Sequence, residues 1–522
     1  MSTADWAVIG VYLAAMLLLA LWLGRGQGSR RDYYLAGGTL PSWALATSII
    51  ATQCSTNSLL GAPAFVGFVA GGGLIWMQYE LAVPLAMLGL AFLFPRVHRS
   101  GVISIYAFLE ERLGRPVRLT ASGCFLFFRG VATAVTVYGV ASVLALITGL
   151  PYAASVALLM LVTVAYDVLG GMKAVVVSDV AQMLLLLLAV LLALATLLPD
   201  LQTHWAALAP RAAPLRADWG LSGSGDYGLW PMLFGGFFLY MAYYGCDQSQ
   251  AQRLLAAHDA SALQRVLLLN GVLRFPLVLA YCLLGLGLAA YAAGHGDFVD
   301  ALPRNGGGEP NLNLVFPAFV TREFAPGLAG LAIVGLFAAA MSSIDSALNS
   351  LSASTLEDFL PHHQQRERSF YLMSKWLTFA WGSFAVLFSF FVEHIATTIL
   401  EAINKIGSMA NGPLLALFVL AIALPRVGSR AALAGFACGL LGNLLLWALA
   451  PGVSWLWWNP AGFAVALLSA LLAALLLPSP ALHDGDGPAL PPRRLTLALL
   501  LAFALMAALL LLLQWSAASS MA

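Results

Sequence analysis

The sequence predicts an all-α polytopic membrane protein of about fourteen transmembrane helices, on three observations. Of its 522 residues, 61% are hydrophobic and 9% charged, too little polar surface to coat a soluble globule of this length. Apolar runs of about 20 residues, enough to cross a hydrocarbon core of roughly 30 Å, recur along the chain. The basic residues also segregate between alternate connections, as the positive-inside rule requires of a multi-pass chain. The 25 basic and 24 acidic residues nearly cancel, so nothing points to nucleic acid or to an acidic partner.

The spans fall near 5–24, 41–70, 73–95, 119–147, 151–168, 174–198 and 229–251, then 262–292, 326–354, 370–392, 397–424, 431–450, 457–477 and 495–514. The first has Asp5 before it and Arg25, Arg30 and Arg31 after it, the reverse of a signal peptide's basic start, so it reads as a retained span. With the N-terminus outside, 18 of the 25 basic residues fall in inner connections and 4 in outer ones. Arg129, Arg274 and Lys405 remain within spans, where charge is expensive and marks function. This order places both termini on the extracytoplasmic side of a cell (inner) membrane. Residues 1–522 then form a single transmembrane domain, with an interfacial helix near 103–113 and its longest outer loops at 199–228 and 293–325. Cys54, Cys124, Cys246, Cys282 and Cys438 are odd in number and lie in apolar stretches, as buried free thiols do.

Two spans carry polar runs that lipid would not tolerate. The second holds Thr52-Gln53-Cys54-Ser55-Thr56-Asn57-Ser58, and the seventh holds Tyr240 to Gln250 with Asp247 inside it. Short hydrogen-bonding side chains compete with the helical ladder, so local unwinding is expected at both. The runs occupy corresponding positions in two five-span units, 41–198 and 229–424, whose odd span number gives them opposite orientations. That is the pattern of an inverted repeat in a secondary transporter, where unwound carbonyls meet ions and half-helix ends meet substrate. The alternative is that both runs are merely polar packing surfaces.

The ninth span places Ser342, Asp345, Ser346 and Asn349 on one face, an oxygen-rich set suited to a hard cation such as sodium. Asp179 begins the sixth span, where a carboxylate at a helix start has an ordinary structural use. Glu80 can neutralise one of the embedded bases. No Ser/His/Asp grouping, phosphate loop or metal-ligand spacing appears in any connection, so an enzyme is not expected.

At these residues the chain resembles the sodium:solute symporter family over about 5–425. The resemblance rests on Asp32 to Gly38, on Tyr166 to Val175, on Gln248-Ser249-Gln250-Ala251-Gln252-Arg253, and on Ser342 to Ser350. It implies a LeuT-type five-plus-five inverted repeat with one leading helix (5–24) and three trailing helices (431–514). It further implies a first sodium site from the carbonyls of Ala51, Cys54 and Ala339 with the hydroxyls of Ser342 and Ser343. A second sodium site would use Asp179 and Ser346, with Asp345 standing at one hydroxyl position, so proton coupling is the nearest rival. Gln53, Ser55, Ser58, Tyr79, Tyr240, Tyr243, Arg274 and Lys405 match substrate positions, and Asn57, Glu80, Arg129 and Asp247 complete the candidate set.

The cations at Arg274 and Lys405 favour an anionic or zwitterionic solute, since guanidinium presents a fork to a carboxylate. Neutralisation of these bases by Glu80, Asp247 or Glu401 is the alternative. The expected coupling ion is sodium, and the expected partners are a small solute and membrane lipid, with no obligate protein partner. From other classes, a polytopic membrane enzyme or a transporter-like sensor is the competing reading.

Overall fold

The computed structural model describes the chain except residues 24–29, 55, 222, 224–226, 306–307, 361–366, 393–398, 425, 478–487 and 522. The side chains at 30, 162, 165–170, 367–371, 399–403 and 521 are also outside the description. Regular structure among the described residues is helical apart from an isolated bridge between Arg304 and Pro310. Ten of the described helices are long and apolar enough to cross a membrane. The chain is thus a multi-pass, all-helical protein, as its composition requires.

The leading helix α1 (Thr3–Leu23) is followed by α2 (Ser42–Gln53) and α3 (Thr56–Phe68), the two halves of the second predicted span. Then come α4 (Ala82–Arg99), the short interfacial α5 (Ile105–Leu113), α6 (Arg115–Thr148) and α7 (Tyr152–Ala212), which kinks at Gly171. Gly171 has a φ of 63°, a left-handed value that other residues adopt at a cost. The seventh predicted span is likewise divided, into α8 (Gly236–Cys246) and α9 (Gln248–Leu255). α10 (Ala260–Gly294), α11 (Val315–Glu323) and α12 (Leu328–Ser354) follow, then α13 (Glu367–Ser389), α14 (Ile399–Ala423), α15 (Ser429–Leu449), α16 (Trp458–Leu476) and α17 (Arg493–Met521).

Both expected interruptions are present. The first falls at Cys54 (φ −90°, ψ 51°) and the second at Asp247 (φ −89°, ψ 119°). A helix break orphans carbonyls, and here each is met by a tyrosine from another element. Tyr281 on α10 donates to the Cys54 carbonyl at 2.8 Å, and Tyr106 on α5 donates to the Cys246 carbonyl at 2.8 Å. The thiols at these breaks, Cys54 and Cys246, are 0% and 1% exposed.

α12 is the hub, with 89% of its most apolar stretch buried, against 22% for α1 and for α16 and 28% for α15 and for α17. Asp5 at the head of α1 accepts the Gly327 and Gly330 N–H groups at 2.7 Å each, capping α12 from a distant part of the chain.

Two expectations need correction. α7 continues to Ala212, so the first part of the predicted outer loop 199–228 is helix; from Gly171 it spans about 63 Å at 1.5 Å per residue, about twice a hydrocarbon core of roughly 30 Å. Arg253, predicted in an inner connection, is 1% exposed on α9, where buried oxygens compensate its charge.

Candidate functional site

A cavity of about 130 Å³ lies where both breaks meet α6, α10, α12 and α14. Its wall includes Gln53, Asn57, Ser58, Tyr79, Glu80, Arg129, Tyr240, Tyr243, Asp247 and Arg274, ten of the twelve predicted substrate residues. Ser55 lies outside the described residues. Lys405 is not in the wall; its helix neighbours Asn404, Gly407 and Asn411 are. The correction is one of rotation, because a step of one residue turns a side chain by about 100° around an α-helix.

Both arginines of the wall face carboxylates. Arg274 on α10 donates from Nε to Glu80 at 2.6 Å, and from Nη2 to Glu80 at 3.2 Å and to the Tyr240 hydroxyl at 2.8 Å. Tyr240 in turn donates to Glu80 at 3.0 Å, and its ring lies 4.7 Å from the guanidinium carbon. Arg129 on α6 faces Asp247 at 3.5 Å and the Tyr243 hydroxyl at 3.3 Å. Two bases and two acids leave the cavity close to neutral, so Arg274 is compensated by Glu80, the alternative weighed above for it.

Several lining groups lack hydrogen-bond partners. Both polar atoms of the Gln53 amide, Asn57 Oδ1 and Arg129 Nε are buried without one. Asn57 Nδ2 is held by Thr136 at 2.7 Å. Buried polar atoms in an apolar setting are costly unless satisfied, so this wall suits a ligand with both donors and acceptors. Thr133 and Thr136 lie four and seven residues beyond Arg129, and this helical spacing is the signal in the sequence that could have marked them.

The candidate cation residues lie against the same region from α12. Ser343 donates to the Thr52 carbonyl at 3.1 Å and approaches the Ala339 carbonyl at 3.4 Å, so these oxygens are close neighbours, with Thr52 one residue along α2 from Ala51. The Cys54 carbonyl accepts from Tyr281 but keeps a second lone pair. Ser342 donates to Asp179 at 2.5 Å. All are buried oxygens of the hard type that sodium favours.

Around Asp179 the arrangement is different. Arg253 Nη2 stands 3.2 Å from its carboxylate and 2.5 Å from Ser346, and Arg253 Nε donates to Ser48 at 2.5 Å. Ser48 also donates to Asp179. The carboxylate and hydroxyl expected to hold a second cation therefore already hold a guanidinium. Asp345 is fully buried in the same turn of α12. In the sequence Arg253 resembles a loop charge, because it follows the polar stretch Asp247 to Gln252 just past the predicted end of the seventh span.

Comparison with known proteins gives a consistent result. The model of the sodium:solute symporter family matches residues 33–439. The human sodium/iodide cotransporter is 26% identical over 85% of this chain and 69% of its own length. The bovine sodium-coupled monocarboxylate transporter 2 is 28% identical over 83% of this chain and 71% of its own. A solved structure of a substrate-bound, outward-open, sodium-coupled sialic acid symporter superposes with a TM-score of 0.80 at 25% identity, covering 92% of this chain and 99% of that one.

Proposed function

The chain belongs to the sodium:solute symporter family, whose members are sodium-coupled carriers and not enzymes, and on that premise we propose that it imports a small organic anion with sodium. The observation that carries the substrate half is the cavity wall at Arg129, a cation only 10% exposed with an unsatisfied Nε beside unsatisfied amides. Iodide, monocarboxylates and sialic acid, the solutes named for the relatives above, are all monoanions. An acid bearing hydroxyl or amide groups matches the donors and acceptors of Gln53 and Asn57.

On this reading the driving sodium is held by the carbonyls of Ala51, Cys54 and Ala339 and the hydroxyls of Ser342 and Ser343. A second sodium at Asp179, Asp345 and Ser346 would have to share the Asp179 and Ser346 oxygens with Arg253. The finer architecture in this proposal has fourteen spans, two inverted five-helix repeats at 41–198 and 229–424, one leading and three trailing helices, and both termini outside an inner membrane. Its support is the pair of breaks, each ending on a cysteine whose carbonyl a tyrosine holds. Transport then proceeds by alternating access, sodium and solute together biasing which side of the site is open.

Uptake of labelled lactate and N-acetylneuraminate into proteoliposomes, with sodium replaced by choline at fixed pH, tests the proposal. Uptake is expected to collapse without sodium, and Ser343→Ala is expected to raise the sodium concentration needed for half-maximal uptake. Undiminished uptake in choline that follows an imposed pH gradient would instead assign the coupling to a proton.

A further inference from the structure

The two ion pairs of the cavity are unequal. Glu80 is wholly buried and receives two nitrogens of Arg274, at 2.6 and 3.2 Å. Asp247 meets Arg129 through a single nitrogen at 3.5 Å, beyond the usual length of a charge-assisted hydrogen bond. The Arg129 side chain is 10% exposed against 8% for Arg274; each guanidinium has one buried nitrogen without a hydrogen-bond partner, and beside Asp247 the Arg129 group has only the Tyr243 hydroxyl at 3.3 Å and its ring at 5.5 Å. A guanidinium in that condition is short of an anion. Asp247 is meanwhile committed elsewhere, its Oδ1 accepting the Ser249 N–H at 2.8 Å and the Ser249 hydroxyl at 2.5 Å as the N-cap of α9.

We propose that Asp247 is a built-in stand-in for the substrate's carboxylate, holding Arg129 loosely in the empty carrier and yielding it when an acid enters the cavity. The inference rests on the anionic-solute reading and narrows it. Once displaced, Asp247 Oδ2 needs a donor, and a hydroxyl or ammonium on the carbon next to the incoming carboxylate supplies one. The preferred solute is therefore a 2-hydroxy or 2-amino acid, its carboxylate on Arg129 and its neighbouring donor on Asp247. The exchange has a mechanical outlet, because Asp247 caps α9 and the same eight-residue helix carries Arg253, which donates to Ser48 and Ser346 and faces Asp179. Asp247 is thus a positioning residue that joins the substrate cavity to the cation cluster.

The test uses the full-length purified protein in sodium buffer, with melting temperature followed against lactate, propionate and N-acetylneuraminate. The variants are Asp247→Asn, Asp247→Ser and Arg129→Gln; serine keeps an N-cap acceptor if asparagine disturbs folding. Propionate offers nothing to Asp247, so removing the internal competitor is expected to lower its half-saturating concentration about tenfold, as freeing a seat available in about a tenth of molecules does. Lactate is expected to gain less, so its advantage over propionate shrinks, and Arg129→Gln is expected to respond to neither. A response confined to the Asp247 variants also supports the proposal. If the wild type responds and both Asp247 variants respond equally or less, or if Arg129→Gln still responds, the stand-in role is overturned while the anionic carrier stands. If no probe stabilises the wild type or either Asp247 variant, the anionic reading falls with it, and a shift by sodium alone shows whether sodium coupling survives.

Discussion

Arg274 is 6% exposed and Glu80 0%, so each makes the other tolerable in a medium that solvates neither. Removing one partner of such a pair strands a buried charge, whereas removing both strands no charge and leaves only the Tyr240 hydroxyl without its two partners. Glu80→Gln is accordingly expected to cost about 3–5 kcal/mol of stability, and Glu80→Leu with Arg274→Met to restore much of it; thermal unfolding of the purified carrier measures both. At this scale, side chains were legible in the sequence where their context was chemically unusual. Arg129 and Arg274 stand out because a base in an apolar run needs a reason. Arg253 does not, because a base at the end of a span looks like an ordinary inner-loop charge until α9 turns it inward against Ser48. The choice between Lys405 and Asn404 depends on helix rotation, which a polar pattern one residue wide does not fix.

Among the elements, the second half of the first broken helix packs very closely against α10. A Cβ placed on Gly285 of α10 would meet Pro63 Cα of α3 at 2.8 Å and Val66 Cβ at 2.9 Å, and one on Gly67 would meet the Gly285 carbonyl oxygen at 2.6 Å. The two backbones touch, the small-residue packing that membrane helices use in place of a hydrophobic drive. Gly285→Leu is expected to lower the melting temperature, by overpacking on the order of 1–3 kcal/mol, and to cut uptake. Gly10→Leu, on α1 with nothing within 4 Å, is the matched control and is expected to change neither. The breaks themselves were legible, since runs such as Thr52 to Ser58 offer the backbone local partners. The extension of α7 to Ala212 was not, because hydropathy reports where lipid ends, and a helix can carry on beyond it.

For the whole molecule, charge segregation predicts an orientation, but it does not tell which helices lie inside. α12 and α15 read alike by length and apolarity, yet one is the hub and the other faces outward along much of its length. What separates them is the small and polar content of α12, Ser342 to Ser350, which only protein neighbours can satisfy. The paired cysteines at the two breaks give the molecule a vulnerability. A thiol sealed at each interruption is shielded from electrophiles, and the proposed alternating access would uncover it when the halves part. With the half-buried Cys124 and the exposed Cys438 replaced by alanine, a membrane-impermeant mercurial is expected to poison uptake only during turnover. Cys54→Ser with Cys246→Ser is expected to abolish the inhibition, and equal inactivation of resting and cycling carrier would show that the reagent reaches its target without turnover. A heavy-metal poison would then act as a clock, counting transport cycles by the thiols each one uncovers.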